Sequence, residues 1–261
     1  RGVGRGVLGR RVATAAVLAP LVLAAISAGG VAVYAALLAV AIAASFELSR
    51  ALALPRGAAL GAALAPLALS VPFGPEGVLG GVVLGVPWAL LWLGAVPRLR
   101  EERALLGMLL VPVWVGAPLA FVALISGLEH GRAMLLLTVV GPWVSDAGAY
   151  FCGLAFGRRR IFPVLSPAKT LEGSLGGLLA TTVAGGAAGY LLPGLSPSRG
   201  LVLGAAISLA SQAGDLFESA LKRILGLKDL GSLLPGHGGI LDRIDSLLFA
   251  APAVYYLLLL A

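Results

Sequence analysis

The sequence predicts an all-α, polytopic integral membrane protein with about nine transmembrane helices. Three observations carry that prediction. Of 261 residues, 59% are hydrophobic and only 12% charged, and the mean hydropathy of +1.00 lies well outside the range of soluble domains. Apolar runs of about 20 residues, the length that crosses ~30 Å of hydrocarbon, recur along almost the whole chain and leave no room for a sizeable soluble domain. The cations gather at alternate ends of those runs, as the positive-inside rule requires.

Taken in order, the first run covers 12–27. Its setting, RGVLGRRVATAAVLAPLVLAAISAGG, has the basic start, apolar middle and small-residue end of a signal peptide. Eight further runs follow with a charge bias that fits an uncleaved first helix, so a first transmembrane helix is expected. The GRGVLG at 4–9 satisfies G-x-G-x-x-G, but no strand precedes it and a basic membrane anchor follows, so it is no nucleotide fingerprint. The second and third runs, 31–46 and 57–71, are joined by a segment holding Arg50 and Arg56. The fourth, 78–93, leads into Arg98, Arg100 and Arg103, and the fifth is 105–125. Arg132 precedes the sixth, 134–156. Arg158, Arg159, Arg160 and Lys169 separate it from the seventh, 173–192, and Arg199 precedes the eighth, 201–221. Lys222, Arg223, Lys228 and Arg243 lie between the eighth run and within the start of the ninth, 240–260.

With a cytoplasmic N-terminus, only Arg132 and Arg199 of the nineteen cations fall outside. The net charge of +7 is therefore a topology signal with a role toward anionic lipid, and not a nucleic-acid footprint. The many Ala and Gly residues suit close helix packing in lipid. Cys152, the single cysteine, cannot form an intramolecular disulfide and reads as a small packing residue. Residues 1–130 are read as N-terminal transmembrane helices and 131–261 as a C-terminal transmembrane catalytic region, one structural unit.

The acids are the informative residues. Five of the twelve, Asp215, Glu218, Asp229, Asp242 and Asp245, fall between 215 and 245, and Asp146 stands alone inside LLLTVVGPWVSDAGAYFCGLAF. A charge at the centre of a span costs on the order of 3 kcal/mol, so such groups face a partner or a water-filled cavity. In SQAGDLFESALKR, Asp215, Glu218, Ser219 and Lys222 recur at i, i+3, i+4 and i+7, one helical face, with Arg223 beside it. A plain Glu218–Lys222 pair would leave Asp215 unexplained. In PGHGGILDRID, Pro235 and the glycines break the chain, a helix is expected from about Ile240, and Asp242 and Asp245 share a face of its first turns. One acid there complements the helix dipole; two beside Gly238 and Gly239 suggest a metal near backbone N–H groups, with His237 adjoining. In GRRRIFPVLSPAKTLEGS, Ser166 and Pro167 read as N-cap and first helical residue. Lys169, Thr170 and Glu172 then stand at a helix mouth without an assigned role.

Carboxylates grouped on helix faces bind hard cations such as magnesium, and adjacent Lys and Arg neutralise phosphate oxygens. That set describes a nucleoside triphosphate site for phosphoryl or nucleotidyl transfer, without a Walker motif.

The segment 219–245, S-x-L-K-R-x-x-x-x-K-D-x-G-x-x-L-P-x-H-G-G-I-x-D-R-I-D, closely resembles the signature of the phosphatidate cytidylyltransferase (CDP-diacylglycerol synthase) family. All twenty-seven positions agree, and SDAGAYFCGLAFGRR, SPAKTLEGSLGG and SQAGDLFES extend the resemblance over most of 145–245. One departure is Ala168, where such enzymes usually carry a second lysine. The resemblance implies transfer of CMP from CTP to phosphatidic acid on the cytoplasmic face of a bacterial inner membrane, with magnesium and a potassium ion, in a homodimer among membrane lipids. Asp215, Asp242 and Asp245 are then assigned to metal, with Asp146 in support. Lys222, Arg223, Lys228 and Lys169 are assigned to phosphates, Ser219 to a hydrogen bond, and His237, Gly238 and Gly239 to substrate. Two other readings share parts of the pattern: a CTP-dependent polyprenol or phytol kinase, and an ion-coupled transporter with Asp146 and Asp215 as midplane sites. The D-G-x-x-A-R run of a CDP-alcohol phosphotransferase is absent.

Overall fold

A computed structural model describes residues 3–95, 102–234 and 238–260. The chain order is α1 (Val3–Ala28), α2 (Gly30–Ala51), α3 (Arg56–Ala95), α4 (Glu102–Leu110), a π-helical turn (Val111–Gly116), α5 (Ala117–Ser126) and α6 (Gly131–Phe156). A short hairpin follows, β1 (Arg160–Phe162) and β2 (Ser166–Thr170), then α7 (Leu171–Leu191), α8 (Pro197–Leu225) and α9 (Leu241–Leu260). The all-α membrane class holds. Among the described residues six helical stretches are long and apolar enough to cross a bilayer: Gly30–Ala51, Arg56–Trp92, Ala104–Ser126, Gly131–Phe156, Pro197–Leu225 and Leu241–Leu260. The expected count of about nine is not reached by that measure. The first run supplies only a shorter apolar helix, Ala16–Ala28, the third and fourth are the two arms of α3 and count there as one stretch, and α7 is diluted by Gly and Thr.

The chain forms two compact units. The first comprises Arg1–Gly127 with Leu227–Ile244, the second Leu128–Gly226 with Asp245–Ala261. In the first unit α3 is a helical hairpin, because Gly74 takes φ 59, ψ −141, a conformation open only to glycine. The two arms meet through small residues stepping away from that turn: Gly77 against the Leu69 carbonyl, Gly81 against Pro66, Gly61 under Trp88 and Gly57 under Trp92. Trp88 Nε1 donates to the Gly57 carbonyl at 3.1 Å. The Tyr34 hydroxyl of α2 donates to the Leu67 carbonyl, tying that helix to the hairpin.

In the second unit α6, α7 and α8 approach closely at glycines, as lipid-embedded helices with no hydrophobic drive to associate must. A Cβ at Gly148 would lie 2.7 Å from Ala180, and one at Gly177 2.7 Å from the Ser145 carbonyl. A Cβ at Gly185 would strike the Gly200 carbonyl. Cys152 packs against Gly176, the role expected of it. A polar seam runs through this contact. Ser145 and Ser208 share a hydrogen bond of 2.8 Å, and Gln212 Nε2 donates to Ser208 Oγ at 3.1 Å and to the Ser174 carbonyl at 3.2 Å. These bonds satisfy polar groups where water is scarce and set the rotation of α8, hence the direction of its next turns.

The hairpin departs from the expected helix start at Ser166. β2 takes Ser166–Thr170 into antiparallel pairing with β1, Phe162 opposite Ser166 and Arg160 opposite Thr170. The N-cap is Thr170, extended at φ −112, ψ 154, whose side chain accepts from Gly173 N at 3.1 Å. Ser166 and Pro167 have the composition of a cap, but strand pairing satisfies this backbone first.

Candidate active site

Three acids in the second unit come together. Asp215 and Glu218 sit three residues apart on α8, Asp245 on α9, and one carboxylate oxygen from each lies within 4.8 Å of the others. Gly214 lets the helices approach, since a Cβ there would sit 3.1 Å from the Asp245 carbonyl carbon. Phe217 and Phe249 pack one turn further on, ring centroids 5.6 Å apart, and Ser246 Oγ donates to the Ser211 carbonyl at 3.4 Å. Asp245 is buried, and its Oδ1 accepts from Ser246 N at 2.7 Å. Glu218 is only 2% exposed.

Cations flank the group. Lys169, carried by β2, forms an ion pair with Asp215. Lys222 Nζ lies 2.7 Å from Glu218 Oε2, one turn along α8. The Glu218–Lys222 pair therefore exists, and Asp215 is engaged by a different lysine from the hairpin. Ser219 is half-buried on the same helix, and Arg223 is exposed. Gly226, at φ 68, ends α8 by donating to the Arg223 and Lys222 carbonyls, so both cations sit in the last turn, where the helix dipole favours them. Asp146, on α6, is exposed, and its charge bears on Asp245.

Glu172 and Thr170 hold the hairpin that presents Lys169. Glu172 Oε2 accepts from Arg158 N at 3.0 Å and Arg159 N at 3.2 Å. The Arg158 N–H first, then its own and that of Arg159, hold the Glu172 carboxyl below its ordinary value.

The first unit contains the loop of the signature. Both carboxylate oxygens of Asp242 accept from loop backbone: Oδ2 from Gly239 N at 2.6 Å and Oδ1 from Leu230 N at 3.4 Å. Leu234 and Gly238 form a bridge, Leu234 N donating to the Gly238 carbonyl at 2.9 Å. Gly238 is required twice over, by φ 81 and because a Cβ would stand 2.8 Å from Asp242 Oδ2. Lys228 and Asp229 are exposed at the start of this loop. His237 lies outside the described residues.

One functional candidate escaped the sequence. Glu47, on α2, is 6% exposed and its Oε2 accepts from Leu241 N at 3.1 Å. An acid inside AIAASFELSRA is a signal by cost alone, but its partner stands 194 residues away.

The three-acid group is chemically suited to a hard divalent cation. It offers oxygen only, and opposed ligands at 2.1–2.4 Å from a metal are roughly 4.2–4.8 Å apart, close to the observed limit. Three carboxylates this near one another otherwise repel, which a cation or a shared proton relieves.

Residues 9–261 match the model of the cytidylyltransferase family. A phosphatidate cytidylyltransferase of Mycobacterium bovis is 35% identical over 205 residues, covering 74% of this chain and 67% of that protein. One of Thermotoga maritima is 46% identical over 133 residues, 49% of each. An uncharacterised protein of Escherichia coli, YnbB, is 41% identical over 131 residues, 50% of this chain and 44% of that protein. The chain thus spans about half to two thirds of the length of the curated relatives it matches.

Proposed function

Because the chain belongs to the cytidylyltransferase family, we propose that it transfers CMP from CTP to phosphatidic acid, giving CDP-diacylglycerol and pyrophosphate for phospholipid synthesis. The observation that carries this reading is the group of buried Glu218 and Asp245 with half-buried Asp215, and with Lys169 and Lys222 paired at its edge. Such a set serves a polyphosphate substrate: acids for a divalent cation, lysines for phosphate oxygens.

A phosphatidate phosphate oxygen bonds to the α-phosphorus of CTP while the bond from that phosphorus to the bridging α–β oxygen breaks. Pyrophosphate leaves with the electron pair. Lys222, Arg223 and Lys169 stabilise the phosphate charges, each able to exchange its present partner or solvent for a phosphate oxygen; Lys228 is given a phosphate by the family resemblance. Ser219 donates a hydrogen bond to one of them. Asp215, Glu218 and Asp245 would hold magnesium, which supplies positive charge against the triphosphate when bound; Asp146 adds negative charge that favours its retention. Asp242, by accepting from Gly239 N, keeps the neighbouring Gly238 in place for substrate. A potassium ion, a homodimer and a cytoplasm-facing site in a bacterial inner membrane belong to the same proposal, the last supported by the cation distribution.

A nucleotide site in a membrane protein suits an amphiphilic acceptor, whose headgroup must meet CTP while its acyl chains stay in lipid. Purified protein supplied with phosphatidic acid, magnesium and CTP labelled at the α-phosphorus should move label into chloroform-soluble lipid, whereas label at the γ-phosphorus should appear in pyrophosphate. Lipid labelled from the γ-position would instead identify a kinase.

A further inference from the structure

The signature loop is fastened from α2 by a carboxylate that the proposed chemistry does not use. Glu47 Oε2 accepts from Leu241 N, the first residue of α9, at 3.1 Å. The same carboxylate fills the space that side chains at two loop glycines would occupy. A Cβ at Gly239 would lie 2.8 Å from its Cδ and 2.9 Å from its Oε1, and a Cβ at Gly231 would collide with it as well. Glu47 thus sits between the outgoing and returning arms of the loop, with Gly231 on one arm and Gly239 and Leu241 on the other. Asp242 closes the same arms through Leu230 and Gly239. Burial to 6% exposure makes this costly for an acid, and Oε1 has no hydrogen-bond partner among the described residues. An apolar side chain of similar size would avoid that cost but could not accept from Leu241.

We propose that Glu47 is a positioning residue for nucleotide binding: its carboxylate fixes the loop arms 228–234 and 238–241, and with them Lys228 and Gly238, in the arrangement that meets the phosphates of CTP. Nothing in its placement requires contact with substrate. The inference rests on the CMP-transfer reading for its kinetic consequence, but not for the loop order itself.

Two readouts test it. In steady-state kinetics, Glu47→Ala should raise KM for CTP about tenfold or more, since a buried charge-assisted hydrogen bond is lost, with KM for phosphatidate changed far less. Glu47→Gln keeps an acceptor oxygen and the side-chain volume, and should restore most of the CTP affinity. Independently of activity, a thiol introduced by Ser232→Cys in a Cys152→Ser background reports loop order through its rate of maleimide labelling. That rate should rise severalfold when Glu47→Ala is added and stay near the parent value with Glu47→Gln. Folded Glu47→Ala protein with unchanged KM for CTP and unchanged labelling would overturn the proposal, as would a Gln variant no better than Ala. If the unsubstituted protein transferred no CMP, the activity reading would fail while the labelling comparison still decided whether Glu47 orders the loop.

Discussion

Single side chains here do different work from what their spacing along the helix suggests. Asp215 and Glu218 share a face of α8, yet each is matched by a lysine from a different place, Lys169 from β2 and Lys222 from one turn onward. The difference separates two substitutions that look alike in sequence. Arg223 is exposed, so Arg223→Ala should weaken CTP use by roughly ten- to more than a hundredfold, about 1.5–3 kcal/mol for a charge-assisted contact, with only the small fall in thermal midpoint that loss of its helix-dipole contact brings. Lys222→Ala should cost a similar factor and also lower the midpoint, because Glu218 at 2% exposure loses its 2.7 Å partner. Kinetics unchanged in both variants would return these cations to topology anchors. Asp215 is legible in the sequence because an acid is expensive in an apolar span, and Asp245 because it shares a helix face with Asp242; that Glu218, and not Asp242, joins the three-acid group is seen only in the fold. Glu47 is equally expensive, but no local periodicity reports a partner that chain folding brings from 194 residues away.

Among elements, the apolar periodicity located the helices well and their connections poorly. Hydropathy separates the runs 57–71 and 78–93 but does not report that they fold back on one another, which the turn at Gly74 brings about. Its φ of 59 is the cause, and a Cβ there would meet nothing within 4 Å. Gly74→Ala therefore isolates backbone strain and should destabilise the protein by about 1–3 kcal/mol, measured by unfolding in detergent, without steric disruption of a neighbour. The β1–β2 hairpin was hidden by Ser166 and Pro167, which carry a cap composition that strand pairing overrides. Glu172 gives this hairpin a pH dependence. Its folded-state carboxyl titrates below the ordinary 4.5, so its contribution is complete above that value and is lost as pH falls through the lower, folded-state value. Protease cleavage at Arg158–Arg160 in detergent should accelerate on that acid side, and Glu172→Gln should cleave faster at neutral pH with a flatter pH response. A Gln variant indistinguishable from the parent would mean that the two N–H contacts do not hold the hairpin.

For the molecule as a whole, the proposed metal binding would be linked to stability through carboxylates that the fold forces together. Asp215, Glu218 and Asp245 reach within 4.8 Å because Gly214 admits the Asp245 backbone and the Phe217–Phe249 contact holds the helices there. Without a cation this arrangement carries electrostatic strain; with one bound only to the native state, the whole protein gains RT ln(1 + [L]/Kd), about 2.7 kcal/mol at a hundredfold excess over Kd. The acids differ in how cleanly they test this. Asp215→Asn removes the partner of a half-buried Lys169, so it should lower the thermal midpoint even in chelator. Asp245→Asn keeps an Oδ1 able to accept from Ser246 N and removes one of three crowded charges, so in chelator it should be no less stable than the parent. Magnesium should raise the parent's midpoint in a saturable way and leave Asp245→Asn nearly unmoved, with CMP transfer abolished in that variant. An Asp245→Asn protein that is weakened in chelator yet still stabilised by magnesium would show that Asp245 is a structural partner within the helix pair and that the cation sits elsewhere.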